Sequence, residues 1–251
     1  VLYQSQRAEA YRYALERLEA RGLIYPCNCT RKAIRRLAET NARRGSVYPG
    51  RCRDKKISRQ QPHALRIKTT ARPVCVHDRL QGRIEQNLAE ETGDFIVRRR
   101  DQAYAYQLAV VVDDHEQSIT EVLRGSDLLD STPRQVYLQQ MLNLPIPDYL
   151  HVPVLVDRRG EKLSKQTHAP PVDETEPAET LFYLLNRLNQ SPPAELKGAA
   201  PSELLEWAVA HWDVSRLPRI RSLPLESGGA KPFDGGRFKK KMDVKSAGRS
   251  R

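Results

Sequence analysis

Ile119-Thr120-Glu121-Val122-Leu123-Arg124-Gly125 decides the fold of this chain, through the way it ends and through the helix that comes after it. Its β-branched and apolar residues read as a strand that stops on an arginine and a glycine. Ser126-Asp127 then caps into Leu128-Leu129, and Ser131-Thr132-Pro133 opens a helix with proline in its first turn, carrying Val136, Leu138 and Met141 to Leu142. Tyr149-Leu150-His151 enters a second, apolar strand, His151-Val152-Pro153-Val154-Leu155-Val156. Strands alternating with helices predict an α/β fold with a largely parallel sheet. Ligands of such sheets gather at the carboxyl ends of the strands, which makes Arg124 a candidate reader of a carboxylate. The alternative is a surface cation beside an acidic neighbour.

Downstream, the second strand runs through Asp157 into Arg158-Arg159-Gly160-Glu161-Lys162-Leu163-Ser164-Lys165-Gln166, an exposed loop. Lys162, Ser164 and Lys165 place two cations and a hydroxyl just past a strand end. Phosphate suits that arrangement best, because the charges are compact and the backbone is free to approach. A solvated basic turn is the competing reading. Beyond Gln166 the composition shifts to a polar, proline-containing connection at Ala169-Pro170-Pro171. Two helices come next, from about Ala178 to Asn189 and from about Ser202 to Trp212, with apolar spacing that suits a small helical subdomain. After Pro224 the chain is rich in Gly, Lys and Arg and lacks a core-forming pattern, so it is expected to be disordered.

Upstream lies Tyr104-Ala105-Tyr106-Gln107-Leu108-Ala109-Val110-Val111-Val112-Asp113-Asp114-His115. Its closing acids and histidine are metal-binding types, but adjacent side chains point in different directions, and a helix end is the preferred reading. Ser5 to Ala20 is an amphipathic helix with Gly22 as its stop. Leu23 to Pro26 is extended, and Thr30 caps a basic helix that reaches about Arg44. Leu65 to Lys68, Val74 to Val76 and Phe95 to Arg99 read as strands, with a turn at Gln81-Gly82. Cys75 lies in the alternating run Pro73 to Val76 and is expected in the core. Arg98-Arg99-Arg100 reads as a solvated edge, with a backbone phosphate as a possible partner. Cys27-Asn28-Cys29 and Cys52 resemble a metal clip, since thiolates are soft donors that hold zinc in a tetrahedron. Three cysteines leave a fourth donor to find. Tyr48 is four residues before Cys52 and His63 lies further on, while buried free thiols are the bland alternative.

The totals set bounds on these readings. The chain has 251 residues, 39% hydrophobic, enough for one large domain or two small ones. The net charge of +11 suits a polyanionic partner, nucleic acid before membrane. It is unevenly spread, since Arg237 to Arg251 holds seven basic residues against one acidic. No apolar run reaches the length of a membrane span, and no signal peptide opens the chain. Four cysteines in that setting argue for reduced thiols or a metal and predict a cytoplasmic protein. The first residue is Val1 rather than methionine, and the opening reads as a segment already in progress, so residue 1 is expected to be a cut.

Four signals now stand in one order: Cys-x-Cys with Tyr-x-x-x-Cys, Tyr106 to His115, Val122-Leu123-Arg124-Gly125-Ser126-Asp127-Leu128, and Lys162 to Lys165. Together they resemble the glutamyl-tRNA synthetase group of class I aminoacyl-tRNA synthetases, from about Tyr3 to about Trp212. Within that group the likeness is to the short branch that acts on queuosine in tRNA(Asp), because only about eighty-five residues remain after the loop, too few for a large anticodon-binding domain. The resemblance implies a Rossmann-like catalytic domain over 1–168 with a zinc-clipped insertion at about 25–95, a helical part at 169–222 and a basic tail at 223–251. It implies activation of glutamate with ATP and Mg2+, followed by esterification onto the queuosine of the tRNA(Asp) anticodon, by a monomer with no membrane partner. Tyr106 and Arg124 match glutamate-binding positions. Lys162 and Ser164 match the mobile signature loop, and Lys165 the ATP-contacting lysine. Cys27, Cys29, Tyr48 and Cys52 match the ligands of one structural zinc, which assigns the fourth donor to Tyr48. The family's first strand and helix lie upstream of Val1, so the chain as it stands is expected to bind ATP poorly and form no adenylate. The competing functions are a truncated enzyme charging tRNA(Glu), a non-catalytic RNA-binding accessory protein, and a zinc-clipped structural module.

Overall fold

The computed structural model describes residues 2–40, 47–58, 60–164 and 175–225. Their elements fall into two compact units, one formed by Val1–Arg124 and Leu128–His151, the other by Gly125–Asp127 and Val152–Arg251.

In the first unit, α1 (Ala8–Ala20) buries Tyr11, Ala14, Leu15 and Leu18, the stripe its sequence spacing predicts. The chain turns at Gly22 and enters β1 (Ile24–Cys27), and α2 (Arg31–Thr40) starts where Thr30 Oγ1 accepts from Ala33 N at 3.2 Å. The expected continuation of α2 to Arg44 runs outside the described residues beyond Thr40. Next come β2 (Ala64–Ile67), β3 (Val74–Asp78), β4 (Gly82–Gln86), the short α3 (Leu88–Glu91) and β5 (Phe95–Arg98). Strands β1, β2 and β5 form an antiparallel sheet in that order. After α4 (Tyr106–Glu116) come β6 (Glu121–Gly125), α5 (Thr132–Leu142) and β7 (Asp148–Val152), and a four-stranded sheet runs β4-β3-β7-β6. This sheet is mixed: β3 pairs with β7 in parallel and with β4 as a hairpin. The core of the unit lies where α1, α4 and α5 meet the strands, with Leu18, Ile67, Val97, Leu108 and Leu138 fully enclosed.

Asp113 answers the question raised by the acids on α4. Its carboxylate accepts from Gln4 Nε2 at 2.8 Å, Arg7 Nε at 2.6 Å and Tyr11 OH at 2.9 Å. It ties α1 to α4, and burial followed by this carboxylate pushes the Tyr11 phenol up to about 12. The helix-end reading holds.

The expectation for Cys75 does not. Strand β3 alternates, with Val74, Val76 and Asp78 inside and Cys75 and His77 outside. A period of two cannot bury Val74 and its neighbour on one face. Cys75 therefore stands on the open face, where its sulfur accepts from Arg83 Nε at 3.3 Å.

In the second unit, β8 (Val154–Val156) pairs in parallel with β9 (Ser222–Pro224), a strand the sequence did not announce. Helices α6 (Pro177–Arg187) and α7 (Pro201–His211) lie at the expected positions and share a small core of Leu185, Leu204 and Ala208. No helix among the described residues is long and apolar enough to cross a membrane.

Candidate functional site

Arg124 is the penultimate residue of β6, and its guanidinium is the centre of a polar network within the first unit. Nε donates to His151 Nε2 at 2.9 Å, and Nη2 donates to Thr132 Oγ1 at 2.9 Å and Gln135 Oε1 at 2.7 Å. Nη1 lies 3.5 Å from Tyr106 OH, and Tyr106, the first residue of α4, is 47% exposed. The ring of Tyr149 lies under the guanidinium, 5.6 Å away. The structure thus brings Arg124 and Tyr106, both named from sequence, to one place.

Behind them stand residues that the sequence did not single out. His151 is completely enclosed on β7, and its Nδ1 lies 2.6 Å from Asp78 Oδ2 at the end of β3. Asp78 Oδ1 also accepts the backbone N–H groups of Leu80 at 3.0 Å, Gln81 at 2.8 Å and His151 at 3.3 Å. Burial alone would raise this carboxyl; the bonds from His151 and those backbone groups outweigh it and hold Asp78 below the usual range. Gln135 Nε2 in turn donates to Gln107 Oε1 at 2.9 Å, and Gln107 Nε2 to Ser131 Oγ at 3.1 Å. Asp114 feels Arg124 through space. Burial pushes its carboxyl up, and the guanidinium pulls it back. The one sequence hint was a histidine inside an apolar strand, two residues from Tyr149 and so on its face.

The second cluster joins β1, the chain before α2 and the turn around Tyr48. The sulfurs of Cys27, Cys29 and Cys52 all lie within 4.8 Å of one another, the sole metal-ligating cluster of its kind among the described residues. Cys29 and Cys52 are 3.4 Å apart, while Tyr48 OH lies 3.4 Å from Cys27 Sγ and 3.9 Å from Cys29 Sγ. These three separations come within about 0.4 Å of the edges of a tetrahedron around zinc, which at Zn–S of about 2.3 Å and Zn–O of about 2.0 Å are roughly 3.5–3.8 Å. Tyr48 OH stands beside Cys27 and Cys29, and His63, the other sequence candidate, instead places Nδ1 2.8 Å from Gln61 O. The donor set and its spacing fit a soft divalent metal.

The cluster is held from behind. Tyr48 OH accepts from Cys52 N at 2.9 Å, and the Tyr48 ring packs 3.8 Å beneath the Arg66 guanidinium. Arg66 Nε donates to Cys27 Sγ at 3.3 Å and Nη1 to Asp94 O at 2.5 Å. Asp94 accepts from Tyr25 OH at 2.6 Å and Thr69 N at 2.8 Å and pairs with Arg53. Burial pushes the Cys29 thiol up to about 11, whereas for Cys52 the bonds to Tyr48 and Cys29 outweigh burial and bring the thiol below its ordinary value. A close approach positions the tyrosine: Gly93, at φ +70°, lies so near Tyr48 that a Cβ would meet its carbonyl oxygen at 2.1 Å.

The loop after β8 belongs to the second unit. Asp157 Oδ1 accepts Arg159 N at 2.8 Å and Glu161 N at 2.9 Å, and Gly160 takes φ +79° to close the turn. Lys162 then pairs with β8 residue Val156, and its Nζ lies 2.6 Å from Asp127 Oδ2. Ser164 comes next but one, partly buried, while Lys165 and Gln166 lie outside the described residues.

Comparison with known proteins bears on the family and the fold. Residues 1–194 match the model of the tRNA synthetases class I (E and Q), catalytic domain. The chain is similar to the glutamyl-Q tRNA(Asp) synthetase of Methylococcus capsulatus, 54% identical over 89% of this chain and 72% of the relative. It is 47% identical to the protein of that name from Pseudomonas aeruginosa, over 89% of this chain and 73% of the relative. Among solved structures, the glutamate-tRNA synthetase of Elizabethkingia anophelis matches at TM-score 0.66 and 19% identity, over 89% of this chain and 52% of that one, a likeness of fold.

Proposed function

Because the chain belongs to the catalytic-domain family of the class I tRNA synthetases for E and Q, we propose that it is a ligase that activates glutamate and transfers it to the queuosine of tRNA(Asp). The observation that carries the glutamate half is the Arg124 guanidinium, held at a strand end by uncharged groups with its Nη1 side toward Tyr106. A carboxylate locked in an ion pair is a poor nucleophile, so Arg124 suits the substrate carboxylate that does not react. The other carboxylate attacks the α-phosphorus of ATP and pyrophosphate leaves, giving glutamyl-adenylate. A hydroxyl of the queuosine cyclopentenediol then attacks the acyl carbon and AMP leaves.

Lys162, Ser164 and Lys165 supply the phosphate side of this reading. Their part is electrostatic, meeting charge that grows on the departing pyrophosphate together with Mg2+. The fixed turn at Gly160 supports it by setting the start of the loop, and Lys162 reaches a phosphate only by giving up its pair with Asp127. Cys27, Cys29, Tyr48 and Cys52 hold one structural zinc in the insertion at about 25–95, supported by the tetrahedral spacing of the donors. We place the catalytic domain at 1–168 and the helical part at 169–222, in a monomer of the cytoplasm; the basic tail expected at 223–251 starts within β9, and beyond Leu225 it lies outside the described residues.

The deciding experiment offers the complete gene product labelled glutamate, ATP and either tRNA(Glu) or tRNA(Asp) with or without queuosine. Label should appear only on the queuosine-containing tRNA. Labelling of tRNA(Glu) instead would replace this reading with that of a tRNA(Glu) enzyme, and no labelling of either would leave the RNA-binding alternative.

A further inference from the structure

Arg124 has five N–H donors, and the network fixes three of them. His151 takes the one on Nε, and Thr132 and Gln135 take the two on Nη2. The pair on Nη1 faces Tyr106 OH at 3.5 Å, the outer limit of a hydrogen bond. Each of these partners is uncharged. The guanidinium is therefore gripped without being neutralised by direct contact.

The reason lies one layer back. Asp78 is the buried carboxylate of this network, and the His151 imidazole stands between it and the arginine, 2.6 Å from one and 2.9 Å from the other. Asp78 can only accept, so Nδ1 carries the proton, which leaves the Nε2 lone pair to receive the arginine. A proton on Nε2 would set two donors against each other. A carboxylate in place of the ring would pair with Arg124 and compete with any anionic ligand. The ring thus passes on orientation while keeping the opposite charge at a distance.

We infer that Asp78 and His151 are positioning residues for the substrate carboxylate: Asp78 selects the tautomer of His151, and His151 sets the Arg124 guanidinium so that Nη1 meets the ligand. The inference rests on the proposed reading that Arg124 receives a carboxylate of glutamate. Both residues act through Arg124, and their removal should weaken glutamate binding more than turnover.

Two substitutions of similar size separate positioning from packing. In His151→Gln the amide oxygen can take the place of Nε2 and still accept from Arg124, while the link to Asp78 is lost. In His151→Asn the amide can donate to Asp78 but falls short of the arginine. Glutamate-dependent ATP–pyrophosphate exchange by the complete gene product should show a KM for glutamate raised roughly ten- to hundredfold in His151→Asn but within about threefold of the parent in His151→Gln. The KM for ATP should stay unchanged in both. Asp78→Asn should raise the glutamate KM as well, because an amide nitrogen facing Nδ1 drives the proton onto Nε2. Equal shifts in the two His151 variants, no shift in His151→Asn, or a parental KM in Asp78→Asn would overturn the inference. Should the His151 variants not fold, Thr132→Val removes another acceptor of the same guanidinium, and an unchanged glutamate KM there overturns it too. A parent without glutamate-dependent exchange is a different result, which removes the underlying reading along with the inference.

Discussion

Arg124 is gripped by an imidazole, a hydroxyl and an amide, each at 2.7–2.9 Å, whereas the sulfurs of the cysteine cluster touch their neighbours at 3.3–3.9 Å. The first arrangement is fixed by three of the protein's own hydrogen bonds and needs no ligand to hold its shape. The second gathers weak donors and weak acceptors, from which little energy comes by contact. A partly buried cation held by uncharged acceptors is preorganised for a ligand that comes and goes. A buried site of thiols gains its order from a metal that stays.

The sharpest way to break this comparison is to remove the guanidinium. Arg124→Ala should lower kcat/KM for glutamate roughly hundred- to thousandfold in pyrophosphate exchange, because the substrate carboxylate loses its charged partner in a partly buried site. Arg124→Lys should recover little, since an ammonium cannot reach the acceptors of the planar fork together. Chelation or Cys27→Ser should act differently, lowering the thermal midpoint on the order of 10 °C through loss of several kcal/mol while the glutamate KM of folded protein stays the same. Metal analysis of the parent decides the premise. Absence of stoichiometric zinc would leave the cluster as buried thiols.

Acid should reach both regions through their aspartates. Asp78 behind the arginine and Asp94 behind the cysteines are each held below the ordinary carboxyl value by hydrogen bonds that outweigh burial. Ionised, they stabilise the fold. That contribution is fully present above the unfolded-state pKa of about 3.9 and is lost as the pH falls from there through the folded values. Denaturant midpoints measured down this range should fall in the parent and fall less in Asp78→Asn. The smallest effect is expected at Cys75→Ser on the open face of β3, within about 0.5 kcal/mol of the parent by urea unfolding.

What the sequence announced depended on whether a feature is local. Arg124 lies near the end of β6, and Cys27, Cys29 and Cys52 lie in one short segment, so strand-end and spacing reasoning reach them, while Tyr106 and the assignment of Tyr48 came only through the family resemblance. Asp78 and His151 are 73 residues apart and meet only because β3 and β7 pair in parallel, with Asp78 opposite Tyr149. No local pattern records that pairing. Strand β4 went unnoticed because Gly82–Gln86 is polar and mostly exposed, and β9 because three residues are too few to show a period. Cys75 was legible and misread: Val74 and Val76 already fixed the phase of the strand.

The position of Arg66 has a further consequence for the cysteine cluster. A divalent ion held by three thiolates would leave one negative charge among side chains of which Cys27 and Cys52 are buried and Cys29 partly so. Arg66 is itself buried, with Nε on Cys27 Sγ and its plane over the Tyr48 ring. Its charge brings the formal sum to zero as long as Tyr48 binds as a neutral phenol, and Tyr48 OH already accepts the Cys52 N–H. Electroneutrality would then favour a divalent ion: a monovalent metal would leave the pocket negative and a trivalent one positive.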